Sequence, residues 1–227
     1  MSCGAHCAGV EARFGEREAT RELRSYRRKG PPATTRLLLG ALRDAGVEGA
    51  TLLDIGGGVG ILQQELLEAG AARAVSVDAS STYLATARAE ARRRGLEART
   101  DYHHGNFVDL AGALPPCDVV TLDRVICCYP DMEALVRRSA AHAGRLWGAV
   151  YPRDRLVSRL GVALINLWER ARGSTFRAFV HAPADIEAVL AEGGLRRRFR
   201  ASTLVWEVGV WERPGATSPA PRSPAPS

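Results

Sequence analysis

The stretch Leu52-Leu53-Asp54-Ile55-Gly56-Gly57-Gly58-Val59-Gly60 decides the fold. An apolar run ends in a carboxylate, and glycines follow at alternate positions. The pattern reads as the end of a buried strand turning sharply into a helix. Glycine admits φ > 0 in such a turn and lets a ligand lie against bare backbone. The spacing Asp-x-Gly-x-Gly-x-Gly differs from G-x-G-x-x-G, the dinucleotide fingerprint in which a pyrophosphate sits on the helix N-terminus. A tight turn with no ligand is the alternative for these residues.

A second acid strengthens the ligand reading. Arg73-Ala74-Val75-Ser76-Val77-Asp78 reads as another short strand ending in a carboxylate. Asp78, followed by Ala79, lies one strand–helix–strand unit beyond the glycines. At that distance an acid meets the hydroxyls of a ribose, and one carboxylate accepts from both.

Outward from these two turns, alternating elements predict a doubly wound α/β fold. Strands are expected at 51–55, 73–77, 98–103, 117–122 and 145–151, and helices at 59–69, 80–94, 131–142 and 153–171. Pro183 opens a further helix through Ala191, stopped by Gly193-Gly194. Two strand-like runs, Leu195 to Arg200 and Leu204 to Trp211, then predict a terminal antiparallel hairpin. Before the first strand, residues 16–29 and 33–45 read as helices. The division expected is an N-terminal helical lid over 1–46, a ligand-binding domain over 47–213 and a disordered Pro/Ala/Ser tail over 214–227.

The 227 residues suffice for one large domain with a substantial core. No apolar run is long enough to span a bilayer. Residues 1–10 lack the pattern of a secretory signal. Five scattered cysteines fit a reducing compartment, so a cytoplasmic location is expected. The net charge of +6 suggests a nucleic-acid partner, but Lys29 is the only lysine and the chain is rich in alanine and glycine. Arg92-Arg93-Arg94 closes a helix and Arg196-Arg197-Arg198 starts a strand. Both read as solvated element ends, and no nucleic-acid partner is expected.

The Asp-x-Gly-x-Gly-x-Gly loop resembles the cofactor loop of class I S-adenosylmethionine-dependent methyltransferases, which build a Rossmann-like seven-stranded sheet with an antiparallel terminal strand. The resemblance implies S-adenosylmethionine as cofactor. Asp54 then suits the methionyl ammonium; Gly56, Gly57, Gly58 and Gly60 shape the loop; Asp78 and Ala79 meet the ribose. His104-Gly105-Asn106-Phe107 follows the third strand, and by resemblance Asn106 contacts the adenine amine while Phe107 packs on the ring. A turn-forming role is the equal alternative for Asn106.

The acceptor belongs off the ends of the first and fourth strands. The fourth runs Cys117-Asp118-Val119-Val120-Thr121-Leu122-Asp123 into Arg124-Val125-Ile126-Cys127-Cys128-Tyr129-Pro130. It lacks the Asn/Asp-Pro-Pro-aromatic motif of nucleic-acid amine and glutamine methyltransferases. The segment is similar to that of magnesium-protoporphyrin IX O-methyltransferases, and the likeness continues through Arg177-Ala178-Phe179-Val180-His181, residues 185–190 and Gly193-Gly194-Leu195. That family carries Ile-His-Tyr-Pro with a histidine thought to assist catalysis. Here the run is one residue longer and has no histidine.

The resemblance implies a small-molecule acceptor methylated on oxygen, a tetrapyrrole carboxylate being the candidate. Asp123, Cys127, Cys128 and Tyr129 are the candidate catalytic residues, with Asp123 also near the cofactor; a turn cap is its alternative. Paired cysteines also fit a soft acceptor such as arsenite or a thiol, or small apolar wall positions. Neighbours on a strand point to opposite faces, so only one of Cys127 and Cys128 reaches the acceptor unless the chain turns there. Cys3, His6 and Cys7 form a second soft cluster, read as incidental; no resident metal is expected. Tyr26 and Arg27 descend over the cofactor or stay on a solvated helix face, and His181 faces the pocket or bonds a carbonyl. A binding-only relative that has lost its chemistry is the reading from another class.

Overall fold

A computed structural model describes residues 4–216, with side chains from residue 7 onward. Cys3, the His6 side chain and the tail from 217 on therefore lie outside the described residues. Three helices come first: α1 (Gly4–Arg13), α2 (Glu16–Lys29) and α3 (Ala33–Asp44). The alternating part follows as β1 (Thr51–Ile55), α4 (Ile61–Glu68), β2 (Arg73–Asp78), α5 (Ser81–Arg93), β3 (Thr100–His104), the short α6 (Phe107–Leu110), β4 (Cys117–Asp123), α7 (Met132–His142) and β5 (Ala143–Pro152). Then come α8 (Leu156–Ala171), α9 (Pro183–Glu192), β6 (Arg196–Ser202) and β7 (Trp206–Glu212).

The described strands form one sheet in the order β3-β2-β1-β4-β5-β7-β6. β1 to β5 are parallel, whereas β7 is antiparallel to both β5 and β6. This is the Rossmann-like seven-stranded arrangement with an antiparallel C-terminal hairpin. The order reverses between β1 and β4, and that switch point opens a crevice at the carboxyl ends of the strands.

Near-continuous apolar runs in β1 and β4 reflect burial on both faces. Leu53, Val120, Leu122 and Trp147 pack with α7 and α9 on one side. Leu52, Val119, Val150 and Val208 pack with Leu38 and Leu42 of α3 on the other, so α3 is part of the layer covering the sheet. The Arg92–Arg94 run is engaged in ion pairs: Arg92 with Glu97, Arg93 with Glu90, Arg94 with Glu65 and Glu68.

Candidate active site

A cavity of about 420 Å³ occupies the crevice at the switch point. Gly56, Gly57 and Gly58 line it, and Gly56, Gly58 and Gly60 all have positive φ. Gly60 stands outside the lining and caps the start of α4. At Gly57 a Cβ would lie 2.7 Å from Asp54 Oδ2, closer than any side chain tolerates.

Asp54 is buried at the end of β1. Its Oδ1 accepts from Thr121 Oγ1 at 2.7 Å, and its Oδ2 has no hydrogen-bond partner. Burial, helped by the nearby Asp123 and Asp78 charges, pushes this carboxyl up to about 7 against the Thr121 bond, which lowers it. A buried acid with a spare oxygen in a wall is a receptor for a cation.

Asp78 lines the same cavity. Its Oδ2 accepts from Gly58 N–H at 2.9 Å and its Oδ1 from Ser80 N–H at 2.8 Å. Asp78 thus ties the glycine loop to β2, a role the sequence did not reveal. Burial raises it to about 6, opposed by those two bonds and aided by the Glu11 and Glu22 charges. Ala79, Asn106 and Phe107 complete this end of the lining. Asn106 is also a cap, since its Oδ1 accepts from Val108 N–H at 3.2 Å at the start of α6.

At the other end stand Asp123, Arg124, Cys127, Cys128 and Tyr129. Asp123 is held by the Thr35 hydroxyl of α3 at 2.6 Å and by Arg124 Nε at 3.1 Å; no bond caps the following turn. Arg124 is the one described non-glycine residue with positive φ, at 62°. Its backbone N–H is pinned to the Val150 carbonyl at 2.9 Å. A side chain held in the left-handed region at a cavity wall is characteristic of functional sites.

The paired cysteines sit in a single 3₁₀ turn, Ile126–Cys128, and not on a strand. The turn brings both thiols to the cavity with their sulfurs 3.8 Å apart. Cys127 is pushed well up, as donor to Cys128 in a buried setting; receiving that bond draws Cys128 down. His181 bonds the Tyr129 carbonyl at 3.0 Å.

The sequence reading assigned a lid to residues 1–46 but predicted no helix before residue 16, where α1 lies. Cys7, Val10 and Arg13 of α1, and Phe14 just after it, line the cavity. Phe14 packs edge-on against Phe176, with ring centroids 5.7 Å apart, and Arg13 pairs with Glu169 at 3.2 Å. Tyr26 and Arg27 do not line the cavity. Tyr26 bonds Glu65 at 2.7 Å and Arg27 bonds Glu90. Although three thiols share the lining, no group of three His, Cys, Asp or Glu among the described residues is placed to hold a metal ion.

Residues 52–143 match a family model described as a methyltransferase domain. Residues 52–143 thus form a methyltransferase domain, and the sheet order around its glycine loop is that of the Rossmann-like methyltransferase fold.

Among solved structures, the chain is similar to the magnesium protoporphyrin IX methyltransferase ChlM of Synechocystis PCC 6803, crystallised with bound SAH. The two share 20% identity over 90% of this chain and 98% of that one, with a TM-score of 0.68. A chain of the complex between the Haloferax volcanii Trm112 methyltransferase activator and a putative methyltransferase is 16% identical, covering 92% and 99% of the two chains with a TM-score of 0.66. An O-methyltransferase family 2 protein from Planctomyces limnophilus, complexed with apigenin, is 18% identical over 82% and 63%, with a TM-score of 0.57. No curated protein matches the sequence. No described helix is long and apolar enough to cross a membrane.

Proposed function

We propose that this enzyme methylates an oxygen of a small anionic acceptor, a carboxylate of the tetrapyrrole class being the leading candidate. The carrying observation is the set of charges that line one cavity. Asp54 and Asp78 flank the glycine loop, while Arg124, held by Asp123, and Arg13, paired with Glu169, line the same cavity, with Glu22 as a further acid. The acids at the loop suit a cationic amino-acid ligand; the arginines suit a carboxylate.

The bound cofactor supplies a methyl group already activated on a sulfonium. This chain's residues do the rest. Asp54 Oδ2, buried and unpartnered, receives the ammonium. Asp78 offers its remaining lone pairs to ribose hydroxyls. Asn106 has its carbonyl oxygen engaged at the α6 cap, so its amide donors are its readiest groups for an adenine ring nitrogen, while Phe107 packs beside the ring. Asp123, anchored by Thr35, holds Arg124, and Arg124 orients the acceptor carboxylate. Val10 and Phe14 close the roof against water. A carboxylate is ionised at neutral pH, so no general base is needed, and catalysis is chiefly alignment.

Arg124→Gln tests the assignment. Expected are a rise of roughly tenfold or more in acceptor KM and unchanged cofactor affinity, because a charged hydrogen bond contributes about 1.5–3 kcal/mol. Unchanged acceptor KM removes Arg124 from this role. A second reading, transfer to sulfur or a trivalent metalloid, is favoured by the three thiols of Cys7, Cys127 and Cys128 in the lining. It requires that Cys127→Ser or Cys128→Ser abolish turnover.

A further inference from the structure

α8 is inside out. Its buried face is polar: Ser158 and Glu169 are covered, Asn166 exchanges two hydrogen bonds with the Ala178 backbone, and Glu169 pairs with Arg13. Its outward face is apolar. Leu156 is 82% exposed, Leu167 64%, Leu160 and Leu164 58% each, and Trp168 50%. At 100° per residue these side chains form one continuous stripe along the helix. So large an apolar stripe marks an interaction surface.

The surroundings of the stripe define its partner. Residues 153–177 contain six arginines and two carboxylates. Both carboxylates are engaged, Asp154 with Arg159 and Glu169 with Arg13. Arg155, Arg170 and Arg172 remain exposed, and Arg172 lies 4.3 Å over the Trp168 ring. A leucine stripe bordered by unneutralised arginines, with an arginine-backed tryptophan at its end, complements the acyl boundary and phosphates of an anionic bilayer. The same arginines would face one another across a two-fold contact with a second copy, which disfavours that occupant.

We infer that α8 is a peripheral docking surface for anionic lipid bilayers, embedding Leu156, Leu160, Leu164, Leu167 and Trp168 while the arginines hold phosphate. The inference stands on α8 alone and is independent of the acceptor. Its test is sedimentation of the full chain with phosphatidylglycerol or phosphatidylcholine vesicles, with tryptophan emission in parallel. Of the four tryptophans, Trp147 and Trp211 are buried and Trp206 is half-buried, so the Trp168→Phe variant assigns a blue shift to Trp168.

Expected is a partition roughly tenfold or more stronger onto phosphatidylglycerol, with a blue shift that Trp168→Phe removes. Leu160→Ser/Leu164→Ser/Leu167→Ser should lose it at unchanged S-adenosylhomocysteine affinity, which certifies the fold. Arg170→Gln/Arg172→Gln should lower the anionic preference several-fold without touching the stripe. Absence of partition onto either vesicle overturns the inference, as does equal partition by the leucine variant. A micromolar dimer that the leucine variant dissolves would give the face to a second copy instead.

Discussion

Cofactor affinity should depend on pH through Asp54. This carboxyl stands at about 7 without a cation beside it. An ammonium at its spare oxygen favours the ionised form, so binding below that value expels a proton. Between about pH 7 and about pH 5.5, the ionised fraction falls from about one half to about one thirtieth, and Kd should rise about fifteenfold. Asp78, at about 6, adds a smaller effect of the same sign, about fourfold over the same range.

Asp54→Asn keeps an acceptor for Thr121 but removes the charge. It should weaken binding roughly tenfold or more at neutral pH and leave only the Asp78 dependence. Stability should move the other way. The folded carboxyl is raised above its unfolded value of 3.8, so the ligand-free fold loses stability as pH rises from about 4 to about 7, and the loss persists above. Asp54→Asn should relieve it and stabilise the ligand-free protein near about pH 8 by on the order of 1–4 kcal/mol, read as a higher Tm. Calorimetry with S-adenosylhomocysteine, in buffers of different ionisation enthalpy, reads Kd and proton release together. A Kd that is flat with pH and releases no proton, or an Asp54→Asn protein with native affinity, refutes the reasoning.

Two further predictions rest on the same wall. Gly57→Ala places a methyl group 2.7 Å from Oδ2 of Asp54, a carboxylate that Thr121 anchors through Oδ1; it should weaken cofactor binding at least tenfold and destabilise the fold by about 1–3 kcal/mol, read by calorimetry and thermal melts. Of the neighbouring thiols, Cys128 should alkylate with iodoacetamide before Cys127 and be protected by bound cofactor. Peptide mass spectrometry giving Cys127 first would refute the ordering, in which Cys128 is the thiol drawn down.

Where the sequence carried a local rule, it was legible. Strand ends at Asp54 and Asp78 and the paired terminal strands follow from apolar runs punctuated by acids and glycines, and they place the cofactor crevice. Three features depended on tertiary contacts. α1 is rich in small residues, and its Gly9 counts against a helix; a Cβ there would lie 2.6 Å from Phe176 N, so the glycine is what permits close packing over the cavity. The Cys127–Cys128 segment carries no turn signal, and its 3₁₀ turn is held by the Cys127 carbonyl accepting from Phe179 N–H at 2.7 Å, a contact across fifty residues of chain. Asp123 finds its partner in Thr35, which no spacing rule connects to it.

The most direct test of the proposed chemistry is transfer of labelled methyl from S-adenosylmethionine to magnesium-protoporphyrin, with arsenite and a small thiol in parallel, followed by mild alkali. The proposal predicts label on the porphyrin in a form that alkali releases, as a carboxylate methyl ester must. Label on arsenite or thiol, stable to alkali, with none on the porphyrin, would contradict it.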